Sequence, residues 1–86
     1  MNIVKFLVDE KIATCRPHAE KIIAKLLLWQ LYNDGKLGEI MTRARCYRDW
    51  RNAGENSDVA ARRAIAGEKA PAPLIAEAAH TLEVTK

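Results

Sequence analysis

Apolar positions recur at helical spacing along most of the chain, and the residues between them divide it into segments. Ile3, Val4, Leu7, Val8 and Cys15 fall on one broad face behind Asn2, a residue able to cap a first turn, and predict a helix over 3–14. The run NIVKFLV would also serve as a strand. Nothing else in the chain reads as a strand to pair with it, so a helix is expected unless two chains pair. Pro17, suited to a first turn, and the stop Asn33-Asp34-Gly35 bracket a helix over 17–33. Its second half, LLLWQLY, is apolar almost all round, the pattern of a helix buried on several sides or one that forms part of an oligomer interface.

Leu37, Ile40, Met41 and Ala44 set the apolar stripe of a third helix over 37–52, closed by Gly54. Asn56 or Ser57 can cap a short helix over 58–66 ended by Gly67, with Asp58 complementing the helix dipole in its first turn. The prolines of EKAPAP make 68–73 an extended connector, after which Leu74, Ile75, Ala78 and Leu82 predict a last helix over 74–84. The fold class read from this pattern is all-α: a compact bundle of four to five short helices in one small domain, 1–86, open to dimerisation.

Size sharpens that last point. A chain of 86 residues builds one thin core, and chains of this size often draw support from a metal, disulfides or a partner subunit. Hydrophobic residues at 49% and charged ones at 29% mark a folded chain and exclude a disordered one. The apolar run Ile3–Val8 is too short, and too charged at Lys5, Asp9 and Glu10, for a signal peptide or a membrane span, so no membrane association and a cytoplasmic location are expected. Cys15 and Cys46, with no secretory signal, are expected as reduced thiols.

Charge is unevenly spread. Residues 1–42 carry six basic and five acidic side chains, 43–63 six and three, and 64–86 two and three. All six basic residues of the middle segment are arginine (Arg43, Arg45, Arg48, Arg51, Arg62 and Arg63). Arginine's planar fork suits bidentate contact with carboxylate or phosphate.

Catalytic and cofactor chemistry finds little support. Cys15 and His18 with Cys46 and His80 would complete a two-cysteine, two-histidine zinc set, but only one close pair exists, whereas such sites use two. Cys15 beside His18 meets only the first requirement of a nucleophile-base pair. Ser57 reads as a cap, Asp9 and Glu10 point to different faces, and the glycines are scattered at turns rather than gathered in a phosphate loop. No catalytic residue, metal or cofactor is therefore expected.

Binding is the class that remains. On a helix beginning at Leu37, Arg43, Tyr47 and Trp50 lie within about 60° of one another, with Arg51 beside Tyr47, a stripe of the residue types that dominate interface energetics. The competing reading makes Trp50 a core wedge with arginine stems over its rim. Arg48 falls on the line of Leu37, Met41 and Ala44. Either the helix projects beyond the core after Ala44, the simpler option, or Arg48 pairs with a carboxylate such as Asp49 or one from another chain.

The preferred expectation is a non-enzymatic inhibitor or adaptor. It would hold a protein partner of acidic and apolar surface through Arg43, Tyr47, Arg48, Trp50, Arg51, Arg62 and Arg63. Two alternatives stand beside it. One is a helix-turn-helix regulator reading nucleic acid with Arg62 and Arg63, set against a long polar turn and Asp58 at the reading end. The other is a structural homodimer through the Leu26–Tyr32 helix.

Overall fold

A computed structural model describes residues 2–71. Among them the fold is all-helical: α1 (Ile3–Asp9), α2 (Arg16–Leu26), α3 (Leu28–Asn33), α4 (Leu37–Asn52) and α5 (Ser57–Ile65), with no strand. The helix expected over 74–84 and part of the connector 68–73 lie outside the described residues.

Asn2 caps α1, its Oδ1 accepting from the Lys5 amide at 3.0 Å. Ile3 and Leu7, one turn apart, are buried, with Val4, Phe6 and Val8 packed at the margin. The helix stops at Asp9 rather than running on to residue 14. Lys11 takes the left-handed conformation, φ 59°, and the amides of Ile12 and Ala13 both donate to the Leu7 carbonyl, at 2.9 and 3.0 Å. That tight wrap carries Ile12 and Ala13 into the core, a placement that a straight helix would deny them.

The helix expected over 17–33 is two helices. Ala19, Ile22, Ile23 and Leu26 line the buried face of α2. At Leu27 the backbone turns left-handed, φ 57° and ψ 37°, and α3 starts again in a new direction with Leu28 and Leu31 inward. A leucine in this conformation is strained by roughly 1–2 kcal/mol, so the break must be held from outside. Arg43 of α4 does so in part: its Nη1 donates to the Leu26 carbonyl at 2.8 Å in a half-buried contact. Of the run LLLWQLY, the two helices bury Leu26, Leu28 and Leu31 and leave Leu27, Trp29 and Tyr32 exposed.

Helix α4 spans the residues expected, but its buried line is Ile40, Ala44 and Tyr47. Leu37, expected in the core, is 40% exposed and Met41 only half-buried. The stripe is therefore rotated toward Ile40, and it continues to Tyr47 instead of ending at Ala44. Helix α5 is capped by Asn56, whose side chain accepts from the Val59 amide at 2.9 Å. It buries only alanines (Ala60, Ala61 and Ala64). Small side chains on this face let α5 lie close against α4, its most extensive neighbour, and against α2. Helix α1 packs on α2, and α3 bridges α2 and α4. Gly54 and Gly67, at φ 102° and 79°, supply left-handed positions just beyond the ends of α4 and α5.

Candidate interaction surface

The expected arginine and aromatic stripe is largely turned inward or engaged within the chain. Tyr47 is 3% exposed and belongs to the core. This corrects its place in an outward-facing stripe, and the cause is the rotated packing face of α4. Trp50 is the wedge at the far end of that helix. Half-buried, it donates from Nε1 to the Glu68 carbonyl at 2.8 Å, and the Arg63 guanidinium stacks 4.6 Å from its ring centroid. Arg63 also reaches Glu68, Nη1 to Oε1 3.5 Å. The Trp50 indole thus ties the chain leaving α5 back onto α4.

The other arginines follow the same pattern. Arg43 supports the α2–α3 break. Arg45 binds Glu10 through Nε at 2.9 Å and lies over the Phe6 ring at 5.6 Å. Arg48 pairs with Asp49 at 3.3 Å and reaches Glu10 at 3.9 Å, so the carboxylate option applies and the helix does not project beyond the core after Ala44. Arg51 donates to the Glu55 carbonyl at 2.9 Å, bracing the α4–α5 turn. Arg62 is exposed and is in no ion pair among the described residues. The seven residues do not converge on one open surface.

Two titrating groups are shifted by their surroundings. Asp58, at the start of α5, is held below its ordinary value by the hydrogen bond from Lys25 Nζ at 2.6 Å and by the lysine charge. Burial pushes the Cys46 thiol up, with the Asp49 charge adding to it, and its Sγ donates to the same Glu68 carbonyl at 2.9 Å. Both Cys15 and Cys46 are free thiols. His18 Nδ1 accepts from the Thr14 amide at 3.1 Å and lies 3.3 Å from the Thr14 hydroxyl, at the start of α2. Among the described residues no three of histidine, cysteine, aspartate and glutamate cluster as metal ligands; His80 lies outside them. None of the described helices is long and apolar enough to cross a membrane.

The open apolar surface is elsewhere, around α3. Leu27 and Trp29 are 50% and 51% exposed, and Tyr32 and Leu37 each 40%. Trp29 and Tyr32 stand edge to face, with centroids 5.7 Å apart and planes at 86°. On one flank Trp29 walls a cavity with Val4 and the Arg16–Glu20 ion pair. On the other, Leu27, Leu31 and the 38% exposed Ile65 floor a shallow cavity of about 300 Å³ whose rim includes Asp34, Lys36 and Glu39. The sequence marked LLLWQLY as unusual but not which of its residues face out. That follows from the left-handed Leu27, which carries no glycine, asparagine or proline signal.

No family model, curated protein or solved structure matches the chain.

Proposed function

We propose that this is a small non-enzymatic binding protein, acting in the cytoplasm as an inhibitor or adaptor, that associates with a protein partner through the surface around α3. The observation that carries this reading is the exposed Trp29–Tyr32 pair, with the exposed Leu27 at the start of the same helix, on a chain with few large core side chains to spare. Aromatic anchors at the centre of a patch, ringed by polar groups, are the usual arrangement of a binding hot spot. The expected arginine and aromatic surface supports the reading less, because Arg48 and Arg63 already pair within the chain and Arg43 is held by the Leu26 carbonyl.

Nucleic-acid recognition by α5 draws less support. Its N-terminal turn presents Asp58 bound to Lys25, and Ala60, Ala61 and Ala64 face the core, leaving Arg62 as its exposed basic group. Capture from the source cell lysate with the wild-type chain and with Trp29→Ala tests the proposal. A partner retained by the first and lost by the second, at unchanged helical content, supports it. Equal capture by both overturns it.

A further inference from the structure

Resting on that reading, we infer that the partner at the α3 surface is a second copy of this chain, in a two-fold dimer centred on Trp29, Tyr32 and Leu27. The charges around the face point to this occupant. Asp34, Lys36 and Glu39 stand together on the rim of the Leu27–Ile65 cavity with Arg43, which is held by the Leu26 carbonyl, and none of the first three is in an ion pair among the described residues. Away from the rim, Glu10, Glu20, Asp49, Asp58 and Glu68 have partners, and Asp9 and Glu55 are in no ion pair among the described residues.

A rim of one sign selects an opposite partner and repels its own copy. A rim carrying both signs is self-complementary under a two-fold axis, where residue i of one copy meets j of the other and j meets i. Lys36 of each chain then faces the acidic Asp34 and Glu39 of its mate, and the aromatic pairs close over the axis. The need is also local. Helix α5 contributes only alanine to the core, so a small chain gains support by covering Leu27, Trp29 and Tyr32 with their own copies.

Charge exchange separates this partner from every other. Lys36→Glu gives a chain whose free rim charges are all acidic, Arg43 being held by the Leu26 carbonyl, and the double variant Asp34→Lys/Glu39→Lys one whose rim is wholly basic. Sedimentation of the full chain at up to about 200 µM, a range suited to a contact of modest size, is expected to give a concentration-dependent dimer. Each rim variant alone is expected to be a monomer of unchanged helical content, and their equimolar mixture to restore the dimer. Trp29→Ala is expected to weaken self-association by about tenfold or more. A wild-type monomer throughout the range overturns the inference, whether a different protein or residues 72–86 cover the face. So does a mixture that stays monomeric while the wild type dimerises. A wild-type monomer whose lysate partner is lost on Trp29→Ala overturns the dimer while leaving the proposed function standing.

Discussion

The guanidinium of Arg43 donates to the carbonyl of Leu26 at 2.8 Å, linking the middle of α4 to the last residue of α2. That carbonyl ends a helix, and its usual continuation is cut off by the left-handed Leu27. Without Arg43 it would be left half-buried without this partner, so Arg43→Ala is expected to destabilise the fold by about 1–3 kcal/mol. Arg43→Lys is expected to recover only part of the loss, since a strongly hydrated ammonium is costlier to hold in this half-buried single contact. Urea unfolding followed by circular dichroism measures both.

Leu27 makes the complementary case. Its side chain is half exposed and its backbone strained, so Leu27→Gly trades the strain for the larger backbone entropy of glycine. The net change expected in urea unfolding of dilute protein is between zero and about 1 kcal/mol of stabilisation. A loss of several kcal/mol would mean that the Leu27 side chain holds the break, not the backbone and Arg43.

The two tryptophans differ in environment and report separately. With Trp50→Phe only the exposed Trp29 emits, and the spectrum is expected to peak at longer wavelength and to quench readily with acrylamide. With Trp29→Phe, the half-buried Trp50 is expected to give the bluer, better shielded emission. Trp50→Ala removes the indole that holds the Glu68 carbonyl and the stack with Arg63. A lower thermal midpoint is expected there, and no change for Trp29→Ala in dilute solution.

Much of this arrangement is legible in the residues, and the exceptions have identifiable physical causes. Helix α4 matches its expected span because Gly54 follows it and apolar side chains recur along it. Helix α5 matches within a residue because Asn56 caps it and Gly67 follows it. The breaks at Lys11 and Leu27 were not legible, since each places an ordinary side chain in the left-handed region that sequence patterns assign to glycine or asparagine. The inward turn of Tyr47 was hidden for a different reason. Leu37 and Met41 have the hydrophobicity of core residues, and only the packing of α4 against α3 and α5 rotates the buried line to Ile40, Ala44 and Tyr47. A stripe drawn through Leu37 therefore placed Arg48 at its centre and Tyr47 on its flank.

Acid should loosen the contact between α2 and the start of α5. Asp58 titrates below its ordinary value of 3.8 in the folded chain. The ionised form is thus favoured by folding, and its contribution is present above that value and lost as pH falls through the lower, folded one. Asp58→Asn is expected to flatten this part of the acid limb of stability against pH while leaving the neutral region nearly unchanged. Thermal midpoints from pH 7 down to about pH 2 supply the comparison.

Thiol chemistry distinguishes the two cysteines. Cys15 is exposed, whereas the Cys46 thiol is half-buried, bonded to the Glu68 carbonyl and shifted upward. A disulfide-exchange reagent at neutral pH is expected to modify Cys15 first, and Cys46 only at higher pH or on unfolding. Prior reaction at Cys46 would contradict the anchoring of residue 68.

The location of the contact surface is tested most directly by amide chemical shifts of the full chain recorded across a dilution series. Shifts that move with concentration are expected to cluster at residues 27–37 and at Ile65, and to disappear in Trp29→Ala. Concentration-dependent shifts centred on Arg45, Arg48 and Arg51, or none in that cluster, would contradict a dimer built on the Trp29–Tyr32 face.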